Sequence, residues 1–542
     1  MTSFNRDESL ALLTTSKFDV VVIGAGITGA GVALDAASRG LKVALIDAGD
    51  IASGTSSKSS KMVHGGLRYL QQREFRLVYE NLRERQRLLE NAPFLVRPLP
   101  FLIPLFGSNG VASRTLVKGY STALRLYDLT GGWRIGQRHR KISKAESLSH
   151  LPTLRAESLV AGFLYLDARG DDARVALALA KTAALDYRAS VANYVRALDI
   201  VRDNQHRASG VVCRNELDHS TFTIQTSTII NATGVWADEI FAMAEHVPSH
   251  RISPAKGVHL SVPRTRLPAD VAAVFSVPNE HRSIFIIPAE DAPVTFIGTT
   301  DTAYDGVLDD PSCTPADVKY LLDAANASTL SNLTVEDVTG LWAGLRPLLA
   351  PSEGRRVSQR TADLSRRHRV TDSLDGVVHI TGGKWTTYRQ MAQDTVDALS
   401  RYVPSLPKVR TKNLRLHGTS PWRPQSEIET HLYQRFGSDS AHVLALINAR
   451  PELAEIAIKG QNYINAEFVY CARTEMVTSL VDLLTRRTRA HLMDARATLS
   501  SAPAIVRLVA DDLKWDDEEC NRQLASYRDL VIHELECAGL VL

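Results

Sequence analysis

The sequence predicts an α/β protein with a parallel sheet covered by helices, an antiparallel sheet and a separate helical C-terminal domain. Three patterns indicate this: a strand–glycine turn–helix–strand unit at residues 18–47, alternating strands between residues 252 and 301, and helical spacing of apolar residues beyond 406. The chain has 542 residues, more than one hydrophobic core usually spans, so two or three domains are expected.

The composition is that of an ordinary globular protein, with 44% apolar and 23% charged residues. A formal net charge of +3 is small and argues against a dedicated nucleic-acid binder. The five cysteines lack C-x-x-C spacing, so a disulfide framework or a metal site is not predicted, and a cytoplasmic location is expected. A signal-peptide core and a run of about 20 apolar residues are both lacking, which predicts a soluble or membrane-peripheral protein.

The first motif predicts dinucleotide binding. The apolar run FDVVVI at 18–23 is typical of a buried parallel strand, and it is followed by GAGITG, a helix to about residue 39 and a second strand that ends at Asp47. In this context Gly24 allows the tight turn, Gly26 lets the backbone approach a pyrophosphate, and Gly29 allows close helix packing. Asp47 is placed to accept hydrogen bonds from ribose hydroxyls. A glycine-rich turn without a ligand is the alternative.

The loop TSSKSSKMVHGGLRYL, residues 55–70, favours FAD over NAD as the dinucleotide. An NAD enzyme would normally continue with further alternating strands and helices, whereas hydroxyl side chains and glycine amides suit the many polar atoms of a flavin. A plain solvated loop is the alternative. The predicted contacts are Thr55, Ser56, Ser57, Ser60, Lys61, His64, Gly65 and Gly66.

Two later segments return to the predicted cofactor. NATG places Thr233 and Gly234 at the end of a β-branched strand, where ligands of parallel sheets bind. VVHITGGKWTTYR repeats the strand–glycine–helix pattern, and its helix N-terminus suits the negative charge of a reduced flavin. The residues predicted to contact the cofactor there are Gly382, Gly383, Lys384 and Thr386.

The middle of the chain carries weaker patterns than the glycine motifs. Residues 73–93 predict an amphipathic helix with a solvated Glu/Arg face, and residues 98–144 predict an irregular segment with apolar and basic residues interleaved. That interleaving suits docking on an anionic membrane surface, or equally a partly buried segment whose cations extend to solvent. Residues 283–301 predict an antiparallel hairpin that turns at 289–293. The expected domains are a discontinuous FAD-binding domain (16–98, 155–250, 350–405), a substrate-binding and membrane-docking domain (99–154, 251–349) and a helical domain (406–542).

From about residue 16 to its end, the chain resembles the FAD-dependent glycerol-3-phosphate dehydrogenases, relatives of the glycine-oxidase and D-amino-acid-oxidase flavoproteins. The motifs that carry the resemblance occur in the order GAGITGAG, TSSKSSKMVHGGLRYL, NATGVWAD, IGTTD, GLRPL, GGKWTTYR and RTEMV…LTRRTR. It implies a Rossmann-like FAD-binding domain and oxidation of sn-glycerol 3-phosphate to dihydroxyacetone phosphate by hydride transfer from C2 to flavin N5. It further implies a membrane quinone as electron acceptor, a peripheral position on the cytoplasmic face of the membrane and a homodimer.

The resemblance also implies which residues surround the substrate: Arg68, Tyr69, His259, Arg346 and Lys384, of which His259, Arg346 and Lys384 are the candidate catalytic residues. His259 is the candidate base, because an imidazole titrates near neutral pH. An ordinary strand histidine is the alternative, with Arg346 or Lys384 stabilising the alkoxide and a water accepting the proton.

Three other functions are open to the same sequence. A glycerol-3-phosphate oxidase would pass the electrons to dioxygen and form peroxide. An amine oxidase would need a carboxylate clamp in place of a phosphate clamp, and a non-catalytic flavin-binding sensor would not be reduced by substrate. The three cations Arg68, Arg346 and Lys384 favour a phosphorylated substrate over an amino acid.

Overall fold

The computed structural model describes residues 4–66, 74–107, 114–129, 131, 135–247, 249–277, 282–350 and 367–542. The strands within these ranges are β1 (Lys17–Phe18), β2 (Val20–Ile23), β3 (Val43–Ile46), β4 (Met62–Val63), β5 (Val96–Phe106), β6 (Arg140–Ser143), β7 (Leu159–Gly170), β8 (Ser190–Ala192), β9 (Val195–Arg202), β10 (Ala208–Asn215), β11 (Thr221–Thr226), β12 (Ile229–Asn231), β13 (Ile252–Pro263), β14 (Ala272–Ser276), β15 (Ser283–Pro288), β16 (Val294–Gly298), β17 (Thr302–Ala303), β18 (Gly340–Leu349), β19 (Arg369–Asp372) and β20 (Val377–Thr381). The helices are α1 (Arg6–Thr15), α2 (Ile27–Ser38), α3 (Phe75–Asn91), α4 (Arg114–Leu129), α5 (Lys144–His150), α6 (Asp172–Leu185), α7 (Ala237–Glu245), α8 (Pro315–Ser328), α9 (Tyr388–Ala398), α10 (Glu427–Phe436), α11 (Ser440–Ala449), α12 (Asn465–Thr474), α13 (Leu480–Asp482), α14 (Ala490–Met493), α15 (Ala495–Leu513) and α16 (Asp517–Cys537).

A parallel sheet carries the first motif. Its order is β19-β20-β12-β2-β3-β8, and every neighbouring pair is parallel except β19 with β20. Helix α2 packs against β3 and between α6 and α9, and on its side of the sheet Val20 and Val22 of β2 are buried. Val21 and Ile23 are buried on the other face, in a cluster with residues of β9, β10 and β11. The predicted strands and the helix between them are confirmed. The small sheet β1-β11-β10-β9 lies beside this layer, since β11 also contacts β2.

A large, mostly antiparallel sheet forms the second layer. Its order is β17-β13-β16-β15-β14-β5-β7-β4, with β18 paired to β13 and β6 to β7. The predicted hairpin between β15 and β16 is confirmed, and β14 with β5 is a parallel pair. Residues 159–170, which the sequence places with the FAD-binding segments, form β7 of this sheet.

Residues 98–106 are not irregular, contrary to the sequence-based expectation. They belong to β5, which pairs with β7 along its whole length. Pro98, Pro100 and Pro104 argue against a regular strand, but all three are at even-numbered positions of β5. The positions of their missing N–H groups therefore all face the same edge of the strand. The residues between them can therefore keep the ladder to β7. Most of β5 is buried, which rules out residues 98–106 as a membrane-docking surface.

The polar face of α3 is only partly solvated: Arg83 and Glu90 are exposed, but several other polar residues are not. Asn81, Glu84 and Arg85 are all buried on this helix. Glu84 accepts hydrogen bonds from the guanidinium of Arg389 on α9, at 2.7 and 2.9 Å, and Arg85 pairs with the buried Asp167 of β7. Part of the charged face is therefore an inner surface, and its partners come from distant parts of the chain.

The C-terminal region is helical, as predicted, and shares a hydrophobic core with the large sheet. Leu260 and Ile297 of the sheet and Phe468 and Leu484 of the helices belong to one buried cluster. Among the described residues, no helix combines the length and apolar character needed to cross a membrane.

Candidate functional site

The first glycine turn has the geometry that its spacing predicts. Gly24 adopts a φ of +104°, and a Cβ there would lie 2.6 Å from the carbonyl oxygen of Ala232 at the end of β12. A Cβ on Gly29 would overlap the carbonyl oxygen of Gly24. The turn between β2 and α2 can close only around glycines, and it leaves its backbone facing a cavity.

Asp47 lies in the same cavity wall, directly after β3. Its carboxylate accepts hydrogen bonds from the backbone N–H groups of Ala25 (2.6 Å) and Gly49 (2.9 Å). Burial raises the pKa of Asp47 to about 6. The carboxylate is therefore fixed by the turn beside which a ribose would lie, and it can still accept hydrogen bonds from hydroxyl groups.

Residues 54–61, here called the seryl loop, join this turn to the large sheet. Ser56 Oγ accepts a hydrogen bond from the N–H of Ile27 at 2.8 Å, which caps the first turn of α2. Thr55 donates its hydroxyl to the carbonyl oxygen of Leu345 on β18, at 2.6 Å. The loop therefore has a fixed position between the two sheets.

His259 occupies the opposite end of the loop. Its Nε2 lies 2.7 Å from Ser60 Oγ, and its ring stacks on Trp342 with centroids 4.8 Å apart and an interplanar angle of 6°. The ring is only 3% exposed, and within the described part of the chain its Nδ1 has no hydrogen-bond partner. Burial, together with the charges of Lys61 and Arg346, places the pKa of His259 well below its usual value of 6.5. The imidazole is therefore neutral at physiological pH.

Arg346 has a fixed orientation beside His259. Its guanidinium donates to Asp301 Oδ1 (3.0 Å), to the carbonyl oxygens of Lys256 (3.3 Å) and Thr300 (3.2 Å), and to Thr299 Oγ1 (3.3 Å). A Cβ on Gly257 would lie 2.5 Å from Nη2, so the neighbouring strand leaves room for this guanidinium. The orientation is set before any ligand arrives, which lowers the entropy cost of binding an anion.

One cavity of about 450 Å³ brings most of the predicted residues together. Those in its wall are Gly24, Gly26, Asp47, Thr55, Ser56, Ser60, His64, Thr233, Gly234, His259, Arg346, Gly382, Gly383, Lys384 and Thr386. They come from the ends of β2, β3, β12 and β20, from the seryl loop and from the large sheet. The side-chain nitrogen of Lys384 is buried, at the point where the chain turns from β20 toward α9.

Five predicted cofactor residues, Gly29, Ser57, Lys61, Gly65 and Gly66, do not line this cavity. Gly29 packs against the backbone of Gly24, behind the turn. The Lys61 ammonium donates to the Ser57 carbonyl oxygen (2.6 Å) and to Asp172 (3.1 Å), and burial together with the Arg489 charge lowers its pKa to about 7. The Gly65 N–H is directed into a buried cluster, where it donates to the hydroxyl of Tyr127 at 3.0 Å. The predicted substrate residues Arg68 and Tyr69 lie outside the described residues.

Sequence reasoning missed several wall residues. Trp236 packs over Gly54 and donates its indole N–H to Asp309 at 2.8 Å. Asp172, at the start of α6, also lines the cavity. Trp236 lies two residues after the NATG motif, which is a local signal for it, whereas no local signal indicates Asp172.

These features fit FAD. A glycine turn in which a Cβ has no space permits close approach of a pyrophosphate, and Asp47 is an acceptor beside it. The cavity continues past the seryl loop to His259 and Lys384, which gives an extended ligand a polar wall at both ends.

Comparisons with known proteins agree with this assignment. Residues 19–389 match the FAD dependent oxidoreductase family, and residues 377–520 match the C-terminal domain of alpha-glycerophosphate oxidase. Glycerol-3-phosphate dehydrogenase 2 of Mycobacterium tuberculosis is 39% identical over 95% of this chain and 88% of its own length. The mitochondrial glycerol-3-phosphate dehydrogenase of Homo sapiens is 34% identical over 97% of this chain and 75% of its own. The crystal structure of the glycerol-3-phosphate dehydrogenase from Bacillus halodurans complexed with FAD is 30% identical, with a TM-score of 0.78 over 98% of both chains. The cofactor is FAD.

Proposed function

The chain belongs to the FAD-dependent glycerol-3-phosphate dehydrogenase family, and from this premise we propose that it oxidises sn-glycerol 3-phosphate to dihydroxyacetone phosphate. The observation that carries the proposal is the single cavity that joins the dinucleotide turn at Gly24 to His259, Arg346 and Lys384. Anaerobic addition of the substrate to the yellow holoenzyme tests it, as set out at the end of the Discussion.

Oxidation of a secondary alcohol removes a hydride from carbon and a proton from oxygen. FAD, when bound, supplies the hydride acceptor, N5 of its isoalloxazine ring. The chain must then hold the substrate with C2 toward that acceptor, exclude water and take the hydroxyl proton. The wall residues divide these tasks.

His259 is the proposed proton acceptor. Its imidazole is neutral because burial and two neighbouring cations lower its pKa, so a ring nitrogen is available at neutral pH. Ser60 fixes one ring nitrogen by the 2.7 Å contact with Nε2, and Trp342 fixes the ring plane. The hydroxyl proton at substrate O2 passes to the imidazole as the hydride leaves C2.

Arg346 and Lys384 are the proposed anion-binding residues. A phosphate ester carries up to two negative charges, and a guanidinium and an ammonium group at the cavity wall attract it by their charge. Arg346 is held by bonds to Asp301, Thr299 and two backbone carbonyls, so it presents charge without reorganisation. This concentration of cations supports a phosphorylated polyol over an amino acid.

The proposed electron acceptor is a membrane quinone, with dioxygen as the alternative. We expect the purified enzyme to reduce a soluble quinone analogue much faster than it forms hydrogen peroxide in air-saturated buffer with the same substrate. The two rates are measured on one preparation by analogue absorbance and by a peroxidase-coupled assay. Stoichiometric peroxide with slow analogue reduction would identify an oxidase instead.

A quinone acceptor requires docking at the bilayer, and we propose that the protein lies peripherally on the cytoplasmic face. The support is a set of exposed cations on and after α4, namely Lys118, Arg125, Arg138, Arg140, Lys141 and Lys144. Such residues are attracted to anionic lipid at about 1 kcal/mol each near the surface. Flotation with vesicles of anionic lipid, compared with neutral vesicles, tests the docking; equal flotation with both, or with neither, would contradict it.

A further inference from the structure

Three arginines of the C-terminal region reach into the layer that carries the flavin site. They belong to the RTEMV…LTRRTR motif, at the end of the π-helical turn Leu483–Arg487 and just after it. Arg487 donates to both oxygens of Asp50 at 2.7 and 2.8 Å, and Arg486 Nε donates to the same carboxylate at 2.6 Å. Asp50 is fully buried and follows Asp47 in the loop after β3.

Arg489 makes the second connection. Its Nη1 donates to Asp171 Oδ1 and Asp172 Oδ1, both at 2.7 Å, and its Nη2 donates to the carbonyl oxygen of Ser57 at 2.8 Å. Its side chain is 2% exposed. One guanidinium from the C-terminal region therefore binds both the start of α6 and the backbone of the seryl loop.

Asp172 completes the hold on that loop. Its other oxygen accepts hydrogen bonds from the Ser59 N–H at 2.9 Å and from the Lys61 ammonium at 3.1 Å. Although burial raises the pKa of Asp172, the charges of Lys61 and Arg489 outweigh it and lower the pKa to about 2. Asp172, which also lines the cavity, thus holds residues 57–61 as an ionised carboxylate between two cations.

The front of the same loop faces the ligands. Ser56 lies against the glycine turn, and Ser60 is the hydrogen-bond partner of His259. The loop has four residues between Ser56 and Lys61, so a shift of its backbone at Ser57 or Ser59 would move both hydroxyls. A displacement of about 1 Å is enough to cost large factors in rate.

We propose that Arg489, acting through Asp172, is a positioning residue for the flavin site: the C-terminal region holds the seryl loop from behind so that Ser56 meets FAD and Ser60 meets His259. The predicted effect on FAD binding requires only that the protein binds FAD. The predicted effect on His259 rests on the proposed function. The helical C-terminal region therefore contributes to cofactor binding through Arg489, although Arg489 does not line the cavity.

A second ion pair between the C-terminal region and α6 provides a control. It distinguishes a specific effect of Arg489 on the seryl loop from a general weakening of the contact between the two regions. Arg174 of α6 donates to Glu475 at 2.6 and 2.9 Å in the same interface, and both side chains are buried. Neither residue lines the cavity or bonds to the seryl loop. Arg174→Lys is consequently a matched control for Arg489→Lys, since each variant replaces one buried arginine that joins the two regions through carboxylate contacts.

The test measures FAD binding, with no substrate present, by titrating apoprotein variants with FAD and following flavin fluorescence and the visible absorbance bands. We expect Arg489→Lys and Asp172→Asn to raise the FAD dissociation constant about tenfold or more and to alter the bound-flavin spectrum, because buried bonds are left unmade. Arg174→Lys should lower the unfolding temperature and leave the dissociation constant within about twofold. In the variants that bind FAD, saturating the cofactor should leave a residual loss in kcat larger than any change in KM.

The proposal is overturned if both Arg489→Lys and Asp172→Asn bind FAD as the wild type does, or if Arg174→Lys weakens FAD binding equally. Arg489→Met is the harsher variant; should it fail to fold, the lysine and asparagine variants decide. A wild type that binds FAD but does not oxidise glycerol 3-phosphate would refute the proposed function and leave the FAD titration as a valid test.

Discussion

Replacing His259 by glutamine should slow flavin reduction by glycerol 3-phosphate by about 10²–10⁴-fold while FAD stays bound. Glutamine is of similar length, and its amide can keep a hydrogen bond to Ser60, but it cannot accept a proton at neutral pH. The measurement is stopped-flow reduction of the flavin without oxygen at saturating substrate. A loss of less than about tenfold would mean that His259 is not the base.

His379 provides a matched control for this substitution. It is a second buried strand histidine, but both of its nitrogens are bonded, to Asn231 (3.0 Å) and Ser373 (2.9 Å), and its ring stacks on Phe241. It does not line the cavity. His379→Gln should lower thermal stability and leave the reduction rate of the bound flavin unchanged; an equal loss of rate would indicate a general disturbance of the fold.

The pH dependence follows from the neutral state of His259. Because its pKa lies well below 6.5, the unprotonated base persists as the pH falls through that value. An ordinary imidazole would lose about half of its base form at pH 6.5, so the flavin reduction rate should fall much less than twofold between about pH 8 and 6.5. A rate that halves at pH 6.5 in the wild type, but not in His259→Gln, would contradict the assignment of its protonation state.

Replacing Gly29 by alanine should abolish FAD binding and destabilise the protein. A Cβ at this position overlaps the carbonyl oxygen of Gly24, which is backbone and cannot rotate away. Helix α2 would have to move from the turn, at a cost toward the upper end of the roughly 1–3 kcal/mol typical of overpacking. The expected product is colourless after purification, with a lowered unfolding temperature.

Gly119 is the control for the glycine substitution. It lies in α4, is exposed, and a Cβ there would meet nothing within 4 Å. Gly119→Ala should keep its flavin and gain up to about 1 kcal/mol, because alanine is the better helix former. A yellow Gly29→Ala protein with wild-type stability would show that the turn is not closed as described.

The sequence predicts the glycine turns and much of the cavity wall around them, since their signals are local. GAGITG, the acid at Asp47 and the late GGK turn each lie next to the strand that positions them, so spacing alone indicates the geometry. The residues on the large sheet were different. His259 and Arg346 lie on this sheet, and only the resemblance to a family indicates them, because a lone histidine or arginine in a strand carries no local mark of its neighbours.

What the sequence could not predict depends on long-range pairing. Glu84, on the charged face of α3, is buried because it meets Arg389, about 300 positions later in the chain. Arg489 and Asp172 are also about 300 positions apart. The sequence of a helix does not show whether its arginines face water or a buried carboxylate. Only the folded structure distinguishes a solvated arginine from one in a buried ion pair.

The measurement that tests the central claim most directly is an anaerobic titration of the purified holoenzyme with sn-glycerol 3-phosphate, followed by the visible flavin absorbance. If His259 and the arginine of GLRPL hold this substrate against FAD, the flavin band bleaches to completion with about one equivalent per bound FAD, and dihydroxyacetone phosphate appears in equal amount. A flavin band that persists at high substrate, while dithionite still bleaches it, would contradict the account.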